Sequence, residues 1–302
     1  MRLIVKVVLF IGIVCSSSVS ATVKIVTTTQ DLASIARSVG GEYVEVKSLT
    51  LGTRDPHFAE AKPSMIRKVY RADLLLLIGA DMEIGWLPAL LRSARNRDVQ
   101  AGANGYLDLS TSVNLLGKSE QSVDRSMGDV HAKGNPHYWL DPNNGIKISR
   151  LIAERLITLD PEHQQEYQQQ QKIFKNKLAL KILDWQKELL PLSDQPVVAY
   201  HKSLIYLANA FNFKIVAEVE PKPGIAPSAK HLNKLVSLIE KQKIKILMTE
   251  PYYERRSSKY LNEKTNIQIA VLPQSVGAMP EMLNYIDLFD GIVASLKQAG
   301  DF

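Results

Sequence analysis

The feature that most constrains this chain is a stretch of 29 residues from Glu162 to Leu190 containing neither Gly nor Pro, flanked on both sides by alternating apolar and amphipathic segments. Within it Ile173, Phe174, Leu178, Ile182, Leu183 and Leu189 recur at helical spacing. A single helix of that length would be about 43 Å long, enough to cross a whole domain. On the N-terminal side, strands are predicted at Val23 to Thr28, Val44 to Ser48 and Leu74 to Ile78, with helices at Leu32 to Val39, Pro63 to Arg71 and Ile84 to Arg95. Asp31 is the expected cap of the first helix. A further helix over Asn143 to Leu159 has Asp141 as cap and Pro142 at its first position. On the C-terminal side, strands are predicted at Val197 to Tyr200, Lys214 to Val219, Ile244 to Thr249 and Ile267 to Leu272. The helices there are Leu204 to Phe211, Ala229 to Lys241, Arg256 to Lys264 and Pro280 to Gln298. Repeated strand–helix–strand units favour parallel sheets covered on both faces. The expectation is therefore an α/β protein of two doubly wound lobes joined by one long rigid helix. Its parts would be an N-terminal lobe over 22–160, a connector over 161–191 and a C-terminal lobe over 192–302.

The N-terminus reads as a leader. Arg2 and Lys6 precede the apolar run Val7 to Val14, and Val19 and Ala21 occupy the positions a signal peptidase reads. Residues 1–21 are thus an expected signal peptide, and the alternative is a buried N-terminal strand. A lipoprotein reading is weaker because Val14, not a small residue, precedes Cys15. Cys15 is the only cysteine of the chain, so the processed protein would have neither disulfide nor thiolate ligand. Without Arg2 and Lys6, 35 basic residues face 31 acidic ones, and the net charge falls from +6 to +4. No basic block with interleaved aromatics marks a nucleic-acid surface. An exported, periplasmic, monomeric protein is expected.

Metal chemistry must then come from His, Asp and Glu. Of six histidines, His57 follows a predicted strand in a turn-rich stretch, His137 lies in Asn135-Pro136-His137-Tyr138-Trp139-Leu140-Asp141-Pro142, and His201 closes the strand Val197 to Tyr200. Loops at the carboxyl ends of parallel strands are where open α/β sheets bind ligands. Each could instead be a hydrogen-bonded structural histidine, but three in that setting define a candidate metal site. Neutral imidazoles suit zinc, whereas manganese favours added carboxylates. His163 and His231, within helix patterns, are expected to be solvated. An exported zinc hydrolase would use the same three histidines with Glu60 or Glu250 as base.

At these residues the chain resembles the periplasmic metal-binding receptors of zinc, manganese and iron ABC importers, the ZnuA-type proteins. The resemblance rests on Asp55-Pro56-His57 with Lys62-Pro63-Ser64, on Ala72-Asp73-Leu74, on the Asn135 to Pro142 motif and on Tyr200-His201-Lys202-Ser203-Leu204. It implies two lobes bridged by a long helix, a metal held between them, and delivery to a membrane permease rather than catalysis. It also implies His57, His137 and His201 as ligands, and His at the third position points to zinc over manganese or iron. The family's fourth position, an Asp shortly before a Tyr, falls here on Leu283 and Asn284. Glu281, Glu250, Glu60 or a water must complete the sphere instead, with Asp141 a candidate to orient a ring. The His-rich loop of many zinc receptors reduces here to His131, with Glu120, Asp124 and Asp129, between Gly117 and Gly134. An adhesin-like surface protein of the same fold is disfavoured by the poor lipoprotein signal.

Overall fold

The computed structural model describes residues 22–118, 133–222 and 224–302. The expected signal peptide, His131, Glu120, Asp124 and Asp129 lie outside the described residues. The first sheet holds β1 (Val23–Thr27), β2 (Val44–Ser48), β3 (Leu74–Leu77) and β4 (Tyr106–Asp108) in the order β2-β1-β3-β4, all parallel. The second holds β5 (Pro196–Ala199), β6 (Lys214–Glu218), β7 (Ile246–Thr249) and β8 (Gln268–Val271) in the order β6-β5-β7-β8, again all parallel. The two sheets thus share one winding order. In each, the first strand sits centrally and the chain reverses direction beside it, the switch point at which such sheets bind ligands.

Helices cover both faces. In the first half these are α1 (Gln30–Gly40), α2 (Pro63–Tyr70), α3 (Leu87–Ala94) and α4 (Pro142–Leu159). The connector is α5 (Gln164–Glu188), and α6 (Ile205–Phe211), α7 (Ala229–Gln242), α8 (Arg256–Thr265) and α9 (Tyr285–Gly300) follow. At 25 residues α5 is about 37 Å long. It is shorter than the unbroken pattern predicts because single 3₁₀ turns at Pro161–His163 and Leu190–Leu192 take over its ends. Its buried residues Tyr167, Phe174, Leu178, Ile182 and Trp185 form one stripe. That stripe belongs to a single apolar cluster running from Val23 and Ile25 of β1, through α1, α4 and α5, to Val197 of β5 and Phe289 of α9. Two smaller clusters lie on the opposite faces. One packs β3 against α2 and α3, the other β5 and β7 against α7 and α8. The halves therefore share one core across the connector.

Local details differ from expectation for identifiable reasons. Thr29, not Asp31, caps α1 by accepting from Leu32 N–H. Asp31 turns inward, where its carboxylate accepts from Ser275 Oγ at 2.6 Å and Val276 N at 2.9 Å. α3 starts at Leu87 instead of Ile84, because Ala80 and Asp81 adopt left-handed conformations and Pro88 suits the first turn. α9 starts at Tyr285, since Asn284 and Asp287 form a capping box there. The three-residue β4 has no counterpart in the expected strands.

Candidate metal centre

His57 and His137 are carried by the same small device. Asp55 Oδ1 accepts from His57 N–H at 2.9 Å and from the ring Nδ1 at 2.6 Å. Asn135 Oδ1 accepts from His137 N–H at 3.0 Å and from its Nδ1 at 3.0 Å. In both cases an Asx-Pro-His triplet folds an Asx turn whose acceptor also fixes the ring. Asn135 does more: its Nδ2 donates to the Lys202 carbonyl at 2.6 Å, joining the segment that carries His137 to the one that carries His201. His201 lies just beyond β5 and is held differently, its Nδ1 donating to Glu220 Oε2 at 2.8 Å. An imidazole that donates from Nδ1 presents a lone pair at Nε2, the state a metal ligand requires.

The three rings face one another across the two halves. Their centroids are 5.1 Å apart for His57 and His137, 5.8 Å for His137 and His201, and 6.5 Å for His57 and His201. Two imidazoles on one tetrahedral zinc, with Zn–N of about 2.0–2.1 Å, have centres about 5.2 Å apart. The His57–His137 pair already matches this, and His201 stands off. Among the described residues no group of three His, Cys, Asp or Glu is placed so as to hold an ion. All three side chains are buried, and Trp139 and Tyr253 wall the rings at 5.2 Å from His137 and 5.7 Å from His201.

The electrostatics favour a cation. Burial would push the Asp55 carboxyl up, but its contacts with His57 and the charge of His201 hold it below the usual carboxylate range. Burial would depress His201, yet Glu220, Glu250 and Asp55 together raise it. Glu250 itself is forced up to about 7 by burial, against the Ser203 hydrogen bond and the His201 charge.

Of the three expected carboxylates, Glu60 and Glu281 are exposed and Glu250 is 1% exposed. Leu283 points to solvent and Asn284 is committed to its cap. Asp141 does not orient a ring: its Oδ1 caps α4 by accepting from Asn143 N–H at 2.9 Å. His163 and His231 are half-buried and engaged rather than freely solvated. The first stacks on Tyr43 at 4.0 Å and bonds Asp160 at 2.7 Å, and the second meets the Glu218 carbonyl at 3.1 Å. Glu220 and Gln274 are site residues that sequence reasoning missed. Gln274 is buried, bonds Tyr252 at 2.6 Å and contacts Glu250. A Glu-Pro pair directly after a strand, as at Glu220-Pro221, was the available signal for the first.

This geometry has counterparts. The family model for ZnuA, described as zinc-uptake complex component A, periplasmic, matches residues 25–299. The chain belongs to the ZnuA family. It is thereby one of the substrate-binding receptors of metal importers. Among similar proteins is the metal ABC transporter substrate-binding lipoprotein SsaB of Streptococcus sanguinis, 28% identical over 84% of this chain and 80% of that one. The manganese ABC transporter substrate-binding lipoprotein PsaA of Streptococcus pneumoniae is 26% identical over the same shares. A crystal structure of ZnuA superposes with a TM-score of 0.77 at 22% identity, covering 92% of this chain and 98% of that one, which supports the fold.

Proposed function

We propose that this ZnuA-family chain captures one divalent transition-metal ion, zinc by preference, on His57, His137 and His201, and delivers it as a monomer to a membrane permease. The observation that carries this reading is the convergence of three buried rings, each with its Nδ1 engaged by an oxygen acceptor. Three neutral nitrogens suit zinc. Several relatives are named for manganese, and a buried carboxylate beside His201 is the feature here that would suit it. A hydrolase reading is less well supported, because Glu60 stands in solvent and Glu250 Oε1 is already engaged by Ser203. Export as a free periplasmic protein is the reading of the leader, and the lipoprotein names of the relatives make anchoring through Cys15 its alternative.

Calorimetry tests the ligand set. His57→Ala, His137→Ala and His201→Ala should each lower zinc affinity at least 100-fold, and unchanged affinity in all three would refute the assignment. Competition between zinc and manganese on the metal-free protein decides the preferred ion. A protein loaded with manganese in its own periplasm and indifferent to zinc would overturn the choice of metal.

A further inference from the structure

His201 sits between two carboxylates placed by strand register. Ala199 of β5 is opposite Glu218 of β6 and Met248 of β7. The ladder continues beyond the strands through Tyr200 N–H to the Met248 carbonyl at 2.7 Å and Glu220 N–H to the Tyr200 carbonyl at 3.0 Å. Two residues further along each chain, the same register sets Glu220 on one side of His201 and Glu250 on the other. The side chains have divided their work. Glu220 takes the ring Nδ1 at 2.8 Å. Glu250 Oε1 accepts from Ser203 Oγ at 2.5 Å and from Gln274 Nε2, while its Oε2 is buried with no hydrogen-bond partner. Among the described residues only one other buried side-chain atom, Ser258 Oγ in α8, shares that condition. A buried carboxylate oxygen without a donor costs the full desolvation of that atom, and a cation in the cleft would remove the cost.

We propose that Glu250 is the fourth ligand, its Oε2 completing the sphere of the ion held by the three histidines; this rests on the ligand reading above. Ser203 and Gln274 are then positioning residues, holding Oε1 so that Oε2 is presented. An anionic oxygen beside three imidazoles also gives the site a means of holding manganese, which depends on carboxylates more than zinc does.

The decisive variant is Glu250→Gln, which keeps an acceptor for Ser203 and Gln274 but puts an amide nitrogen where the ligating oxygen is needed. Zinc and manganese binding would be measured by chelator competition on the metal-free protein, alongside the visible spectrum of the cobalt-loaded form. The expected result is a fall in zinc affinity of about 100-fold or more, beyond the about 10–100-fold of a residue that only orients a ligand. Manganese should fall further than zinc, the cobalt bands should shift, and Glu250→Asp should recover part of the loss. Affinities within twofold of the unaltered protein, with the same cobalt spectrum, would overturn the proposal. Should Glu250→Gln fail to fold, infrared difference spectra of the unaltered protein with and without zinc decide it: carboxylate bands that do not move would refute the ligation. Histidine variants that retain affinity would refute the ligand set itself. Inactive histidine variants beside an indifferent Glu250→Gln would refute the role of Glu250 alone.

Discussion

Replacing Asp31 by Asn should change how stability depends on pH, by an amount the structure allows to be worked out. Asp31 is fully buried at the start of α1, and burial raises its pKa from the ordinary 3.8 to about 6, against the opposing hydrogen bonds of Ser275 and Val276. Between those two values the folded protein binds a proton that the unfolded chain has released, so stability falls as pH rises through that window. At about 1.36 kcal/mol per pKa unit, the full loss is about 3 kcal/mol, most of which lies between pH 4 and pH 7.5. Asparagine has no charge to bury. Its Oδ1 can keep the Val276 N–H, and the Ser275 hydroxyl can rotate to accept from Nδ2. The stability of Asp31→Asn relative to the unaltered protein should therefore increase by about 2–3 kcal/mol from pH 4 to pH 7.5 and level off above about pH 6. Urea unfolding of both metal-free proteins at a series of pH values measures this, with fluorescence and far-UV signals compared to confirm one transition. Glu83 and Glu250, each raised to about 7 by burial, impose the same sign on both proteins and cancel in the difference. A stability difference independent of pH would refute the reasoning.

Two further substitutions probe the parts around the rings. Glu220→Ala and Asn135→Ala remove the acceptors that fix His201 and His137, and each should weaken zinc binding about 10–100-fold with the fold intact, as read by calorimetry beside far-UV circular dichroism. Trp185→Ala should destabilise by about 3–5 kcal/mol in urea unfolding, because Trp185 is buried, stacks on Phe289 at 5.1 Å and donates to Asp290 Oδ1 at 2.8 Å.

The elements that were legible in the sequence are those whose burial writes a pattern. β3 is four leucines buried on both faces, and α5 repeats apolar residues at three- and four-residue intervals with no Gly or Pro. β4 was not legible, since Tyr106-Leu107-Asp108 is too short to show alternation. Thr29 and Asp31 are both good caps by residue type, and what separates them is a contact with Ser275, 244 positions away in the chain. The same division runs through the site. His57, His137 and His201 were visible because each follows a turn or strand end with its own local signal. Glu250 was legible only as one of three candidate carboxylates, and what sets it and Glu220 beside His201 is the register of neighbouring strands, which residue type alone does not encode. The setting of His163 was not legible, because a helix-like stretch among Gln and Glu carries no sign of the Tyr43 ring that covers it.

The displacement of His201 is best understood through the core. To reach a spacing of about 5.2 Å its ring must approach His137 and His57 by about an ångström. A wide hinge is not available for this, because one apolar cluster runs through α1, α4, α5 and α9 into both sheets. Further bonds tie the halves beside the site: Trp139 Nε1 to the Gln274 carbonyl at 2.9 Å, Asn135 Nδ2 to the Lys202 carbonyl at 2.6 Å, and the Tyr206 hydroxyl to the Asn135 carbonyl at 2.7 Å. Close-packed interiors resist continuous deformation, so the approach must come from the segments that carry the rings. His201 and Glu250 lie beyond the ends of their strands, and His57 rides on a single 3₁₀ turn after β2. On the proposed ligand set, capture would amount to a local tightening about the ion over a fixed frame, and release would require a partner to disturb those segments without parting the core.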